Sequence, residues 1–399
     1  MHVRATLPPW PLTVAVVLAS MVTARVIWRL PAGPYDLLTL AEQASQRGDM
    51  VQARELARAE LRVQPLDGRA WRVLAQSAAA DNDSRQVDHL LERALHYSPR
   101  DLQTRAMAAE RAIARGDPAT AVGHLDALLR MEPPLMEAVF PALAQLGTDP
   151  VARPALITSL ARWPVWRWDF IPYLLRQTPR VDALEPLMIG LREHGGLEPS
   201  ESLAWLNRYV ADRRWDEAYR VWMRLLTAAQ RRKLSMPING DFEDPVTGGS
   251  PFEWMVSRNG GVEAVIARSE TDGGHMLQLT FSGAPEPYGG VRQLVLLPSG
   301  GHFTLHWRSR LESLDTPRGL QWELSCAGTP DRVFLASPPE RGTHEWLVQS
   351  QAFTVPAECP AQWLTLRVAA RIASENQAIG TAWWDDVAII DQSTMASGR

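Results

Sequence analysis

Side chains able to do chemistry are scattered through this 399-residue sequence rather than gathered. Glu323 and Asp385 are the two carboxylates that could form a proton donor and acceptor pair of the kind that cleaves a glycosidic bond. Nothing around them builds a nucleophile. No Gly-x-Ser-x-Gly elbow, His-Glu-x-x-His helix, glycine-rich phosphate loop closing on a lysine, or Cys-x-x-Cys pair occurs anywhere. The chain is therefore expected not to be an enzyme and to need no certain cofactor. Cys326 and Cys359 are its only cysteines. An even count confined to one region of an exported protein fits a disulfide. Spacing alone does not set the Cα separation such a bond requires, so two buried free thiols stand as the alternative.

Composition bounds the remaining classes. With 46% apolar and 22% charged residues the chain is globular, and a formal charge of -4 gives nucleic acid no electrostatic footing. Its length calls for two or three domains. Residues 1–30 contain an apolar stretch, Leu12 to Trp28, bracketed by Trp10 and Trp28 at interfacial positions. Its length approaches the ~20 residues that cross a bilayer, so an N-terminal transmembrane helix is expected. The alternative is a cleaved signal, for which Val22-Thr23-Ala24 offers a loose small-residue site. Either way the remainder is expected to be exported, anchored to an inner membrane in the first case.

A fixed period organises the next hundred residues. Pro65, Pro99 and Pro133 are spaced alike, as are Gly48, Asn82 and Gly116, and Asp49, Asp83 and Asp117. The common interval is 34, the length of a helix–turn–helix repeat. The glycine or asparagine ends a first helix in the left-handed region, the aspartate caps a second, and the proline stops it. With Trp71, Leu74 and Ala75 in one helix, and Leu91, Ala94 and Leu95 in the next, this pattern resembles the tetratricopeptide repeat family. That resemblance implies a concave scaffold for a protein partner. It is strong over 35–133; a degenerate continuation over 134–235 completes an expected solenoid of 35–235. Within the latter, Trp163-Pro-Val-Trp-Arg-Trp-Asp-Phe170 reads either as an aromatic platform or as packing filler between irregular helices.

Beyond Met236 glycine and proline become frequent, and eight short alternating runs between 262 and 390 predict a β-sandwich over 236–392, followed by a disordered tail at 393–399. The opening Ile238-Asn-Gly-Asp-Phe-Glu243 with Pro251-Phe-Glu-Trp254, and the closing Trp383-Trp-Asp-Asp-Val-Ala-Ile-Ile390, resemble the first and last strands of carbohydrate-binding modules with a galactose-binding-like jelly roll. The fold class expected is thus multidomain: a transmembrane helix, an all-α solenoid and an all-β jelly roll. The resemblance implies glycan contact through exposed aromatic rings, for which Tyr288, Trp254 and Trp346 are the candidates. Trp307 and Trp322 sit in alternating runs and read as core. It also implies a structural calcium ion between first and last strands, with Glu243 and Asp386 as the residues to test; solvated strand-end charges are the equal alternative. The resulting expectation is a membrane-anchored envelope scaffold that holds a protein through its repeats and polysaccharide through its jelly roll, beside exopolysaccharide synthesis or export. The alternatives are an assembly factor that binds only protein and, behind it, a glycoside hydrolase. Burial of Tyr288 and Trp254 would favour the assembly factor.

Overall fold

The computed structural model describes residues 36–246, 250–257, 261–269, 273–284, 288 and 290–392. The apolar stretch Leu12–Trp28, with the site Val22-Thr23-Ala24, and the tail at 393–399 lie outside them. Among the described residues no helix is long and apolar enough to cross a membrane. The chain divides into two compact units, Met1–Leu197 and Glu198–Arg399.

The first unit is helical. Three antiparallel pairs open it: α1 (Leu37–Gln46) with α2 (Met50–Val63), α3 (Gly68–Ala80) with α4 (Ser84–Tyr97), and α5 (Leu102–Ala114) with α6 (Pro118–Met131). Local chemistry explains the period. Gly48, Asn82 and Gly116 hold φ of 81°, 58° and 71°, the left-handed turn between the helices of a pair. Asp49, Asp83 and Asp117 each accept from the backbone N–H three residues on. Gln64, Ser98 and Glu132, just before the prolines, leave the helical region at φ/ψ of -128°/79°, -130°/68° and -139°/82°, in keeping with the bias of a residue preceding proline away from the helix. Asp67 and Asp101 add caps to α3 and α5, also 34 residues apart, which the sequence pattern did not single out.

The interior is built from small residues. Ala41, Ala44, Ala53 and Ala57 are fully buried around Val73. Alanine lets helices approach closely but removes little apolar area from water, so each repeat depends on its neighbour. A charge also spans the repeats: Arg72, 2% exposed, pairs with Glu42 of α1 and, at 2.9 Å, with Asp101 at the start of α5.

Past Pro133 the helices α7 (Met136–Thr148), α8 (Arg153–Leu160), α9 (Arg167–Gln177) and α10 (Glu185–Glu193) lose the register. Helix α9 was not expected, since Pro172 lies inside it. The aromatic segment divides by burial. Trp166 and Phe170 are buried packing filler, stacked edge-on at 5.5 Å with the Trp166 indole N–H donating to Asp126 at 2.8 Å. Trp163 and Trp168 stay 41% and 60% exposed.

The second unit opens with α11 (Pro199–Ala211), α12 (Trp215–Leu225) and α13 (Ala228–Arg232). Arg213, at φ 57°, makes the same left-handed turn between α11 and α12 that Gly48 makes in the first pair. Ten antiparallel strands follow among the described residues: β1 (Met255–Val256), β2 (Val262–Arg268), β3 (His275–Ser282), β4 (Val291–Val295), β5 (His302–Asp315), β6 (Leu320–Cys326), β7 (Thr329–Ala336), β8 (Gly342–Thr354), β9 (Gln362–Val368) and β10 (Ile379–Asp391). They form two sheets, β1-β4-β9-β6-β7 and β2-β3-β10-β5-β8, whose inner faces share one core. Strands β1 and β7 were not anticipated. Cys326 at the end of β6 is bonded to Cys359, with the Cα atoms 5.3 Å apart.

The segment Met236–Gly240 ties the sheets together. Its Gly240 and Met236 carbonyls accept from Val387 and Ile389 of β10. The buried amide of Gln293, on β4, exchanges two hydrogen bonds with Ile238. The approach to β10 leaves no room at Gly240, where a Cβ would stand 1.9 Å from the Val387 carbonyl oxygen.

Two outcomes follow from these contacts. Gly240→Ala is expected to destabilise the sandwich by roughly 3 kcal/mol, because backbone must shift to relieve the contact; an unchanged urea midpoint for the β-rich transition would refute the close approach. The second concerns Glu110 on α5, whose carboxyl burial pushes up to about 7, with one oxygen unpartnered. Its proton stays on in the folded unit and leaves in the unfolded one near pH 4.5, so helical stability is fully present below that pH and falls as pH rises through 7. The drop is about 3 kcal/mol. Urea unfolding followed at 222 nm should show it, and Glu110→Gln should flatten it; equal slopes in the two proteins would exclude Glu110 as the cause.

Candidate functional site

Of the three aromatic candidates, two are core. Trp254 is 1% exposed, stacked on Phe242 at 5.5 Å and packed on Trp322 at 5.8 Å, and its indole N–H donates to the Asn239 carbonyl at 2.8 Å. It fastens the opening motif to the sandwich. Tyr288 is 5% exposed against Phe281, and burial pushes its phenol far above the ordinary range. Neither presents a ring to solvent, which corrects the expectation of an exposed platform at both. Trp307 and Trp322 are core, as their strand parity predicted.

Trp346 remains at the surface. It lies on the outer face of the β2-β3-β10-β5-β8 sheet, half-buried under the Arg308 guanidinium, which stands 4.9 Å from its ring centre. A second tryptophan shares that face. Trp383 of β10 is directly opposite Arg310 of β5, and the Arg310 guanidinium stands 4.9 Å from the Trp383 ring. Strand β5 thus carries two arginines between a tryptophan of β8 on one side and a tryptophan of β10 on the other. Cross-strand register extends the row through Gln278 to Val265, which is 41% exposed, while Val348 beside Arg308 is 77% exposed. The face is open to solvent.

What aims these side chains is a bulge. Along β10, Ala382 and Trp384 point inward; the register then shifts between Asp385 and Ala388, with Asp386 at φ 51°, after which Val387 and Ile389 point inward. Two residues facing one partner is the local cost of that reset. Asp385, nearly buried, and Asp386 at 3.0 Å both hold Arg308. Burial pushes the Asp385 carboxyl up, and the Arg308 guanidinium opposes that shift.

The other outer face is less free. There Arg292 covers Trp363 at 4.7 Å, and Glu323 lies near Gln321 and Arg367. Leu294 pairs with Trp363 and so belongs to this outward set, yet it is 1% exposed, and its N–H donates to Pro251. The β4 side of this face is therefore covered.

The remaining candidates separate. Glu323 projects from one sheet and Asp385 sits in the bulge of the other, so they do not form a facing acid pair. Glu243 accepts from the His275 backbone N–H at 2.7 Å and lies 2.9 Å from its ring nitrogen, whereas Asp386 pairs with Arg308. Each calcium candidate thus has a basic or N–H partner in a different place. Among the described residues no three His, Cys, Asp or Glu side chains gather as a metal would need.

No protein-family model matches the chain, and a search of curated proteins returns no match. Solved structures similar to the C-terminal part are carbohydrate-binding-module-like sandwiches. A structure described as a CBM4 module is 16% identical, covering 39% of this chain and 99% of its own, with a TM-score of 0.31. The xylan-binding CBM22-1 domain from Paenibacillus barcinonensis Xyn10C is 17% identical over 38% of this chain and 91% of its own, at a TM-score of 0.28. A structure described as TmCBM61 in complex with β-1,4-galactotriose is 17% identical over 39% and 96%, at 0.26.

Proposed function

We propose that the protein is a non-enzymatic binding scaffold whose sandwich holds polysaccharide on the outer face of the β2-β3-β10-β5-β8 sheet. One observation carries this reading: Trp346 and Trp383 flank Arg308 and Arg310 on a solvent-facing sheet surface. A pyranose has an apolar C–H face and a rim of hydroxyls. An indole matches the first, and guanidinium and amide groups such as Gln278 match the second. The helical unit, by its stacked pairs, serves a protein partner. The disulfide supports an exported location, because such bonds persist in oxidising compartments. We place the whole at the cell envelope, held by the N-terminal apolar stretch and working beside polysaccharide synthesis or export.

A second reading has its own support. Tyr288 and Trp254 are buried, and both surface tryptophans already have an arginine over one face. On that reading the sandwich is a protein contact in an assembly factor.

Affinity electrophoresis of the purified protein through gels containing neutral and acidic polysaccharides separates the two. Retardation by at least one polymer is expected, and Trp346→Ala or Trp383→Ala should each weaken it about tenfold, equivalent to ~1.4 kcal/mol. Retention unaffected by either change, or no retention in any gel, would favour the assembly factor.

A further inference from the structure

The loop between α8 and α9 of the helical unit turns apolar side chains toward solvent. Pro164, Trp166 and Arg167 are buried, whereas Trp163, Val165 and Trp168 are exposed. Trp163 and Trp168 are the two most exposed tryptophans among the described residues, and Val165 between them is 81% exposed. The two indoles stand 6.1 Å apart, inclined at 41°. Exposed apolar residues are ordinarily scattered singly, so three of them on one loop mark a contact surface.

The loop is held in this state. Trp163 adopts φ 57°, the left-handed position that Gly48, Asn82 and Gly116 occupy elsewhere in the unit. A bulky aromatic side chain is strained there and persists only where its surroundings fix it. Arg167, fully buried, lies 3.9 Å from the Trp163 ring centre and donates to the Leu160 and Gly196 carbonyls. Its guanidinium covers one face of the indole and props the ring at the surface.

Three properties choose among partners. The exposed apolar area is on the order of 400 Å², about half of what each side of a stable protein interface buries. A sugar ring stacks on a flat indole with polar groups around its rim, and two rings inclined at 41° with a valine between them do not offer that. A bilayer asks for no complementary shape: indoles settle at the level of the headgroups, and an aliphatic side chain reaches the acyl boundary. The flanking Arg162 and Asp169, both exposed, cancel in charge, so no anionic lipid is called for.

We infer that this loop is a membrane-interface contact, with Trp163 and Trp168 among the headgroups of a zwitterionic bilayer and Val165 inserted between them. It holds the helical unit against the lipid surface. The contact takes nothing from the polysaccharide reading, and it draws on the envelope location only for the presence of a bilayer.

Cys326 and Cys359 are bonded to each other, so Val165→Cys gives the 399-residue chain a single free thiol. The full chain labelled there with a nitrobenzoxadiazole fluorophore is mixed with phosphatidylcholine vesicles. Emission should shift to the blue and brighten several-fold, and lipid carrying a nitroxide at a shallow acyl carbon should quench it. The same label at Val348→Cys, on the sandwich, should show neither effect. Adding Trp168→Ala to the Val165-labelled chain should weaken the response several-fold, and Trp163→Ala provides a second check. Trp346→Ala should leave the response unchanged even if it abolishes retention by polysaccharide. Association of the chain with vesicles while the Val165 label stays in water would overturn the contact and leave anchoring by Leu12–Trp28 standing. A label that responds to a soluble polysaccharide but not to vesicles would overturn it as well and assign the loop to glycan. A response confined to vesicles containing phosphatidylglycerol would overturn insertion in favour of charge attraction.

Discussion

Everything arranged on the open sheet face depends on one backbone contact, the passage of Met236–Gly240 alongside β10. Val387 and Ile389 donate to this segment at 2.9 and 2.6 Å, and the buried Gln293 amide locks Ile238 to the other sheet. The contact falls directly after the bulge at Asp385 and Asp386. Without a bulge, strand parity would carry Trp383 and Val387 to the same face. With it, Trp383 faces solvent, Trp384 and Val387 face the core, and two carboxylates meet Arg308. Gly240 is the residue that permits the approach, since any side chain would collide with the Val387 carbonyl. The opening and closing motifs of the domain are thus two sides of one structural joint.

Much of the helical unit was legible because its signals are local and redundant. A left-handed residue, an aspartate cap and a stopping proline recur together, and each acts within one turn of the chain. Legibility ends where that redundancy does. Helix α9 carries Pro172 within its length, and its aromatic segment mixes buried and exposed tryptophans with no period to sort them. In the sandwich the strand count fell short at β7, a run with irregular register against β6. The site residues were the least legible. Tyr288 sits in a Gly- and Pro-rich stretch that reads as exposed loop, yet it folds back onto Phe281 at the end of β3 and is 5% exposed. Trp383 was visible only as part of a closing motif, because its direction is set by a bulge that sequence parity does not announce.

The two units reach stability by different means. Alanine interfaces in the first give close approach with little hydrophobic gain per residue, and buried Arg72 and Arg167 supply directional contacts that alanine lacks. Arg167 is fully buried, donates to the Leu160 carbonyl at 2.7 Å and to the Gly196 carbonyl, and lies 3.9 Å from the Trp163 ring centre. Such groups fix one arrangement because their alternatives leave a charge unpaired. The sandwich core instead buries the large aromatic side chains Phe242, Trp254, Trp307, Trp322 and Trp384, each at most 1% exposed. Its disulfide closes a 33-residue separation that contains all of β7 and β8, removing about 4 kcal/mol of unfolded-chain entropy on the loop-closure account.

That difference bears on what the open face can recognise. Arg308 is restrained by Asp385 and Asp386, so the Trp346 ring beneath it is held in place before any ligand arrives. Arg310 has a looser acidic neighbour, Glu345, at 3.8 Å and 90% exposed, so its hold over Trp383 is adjustable. The guanidinium over Trp383 is therefore more weakly tethered than the one over Trp346. The cation–π contact each makes is worth about 0.5–1 kcal/mol at an exposed site. The face is therefore more rigid at Arg308 and Trp346 than at Arg310 and Trp383.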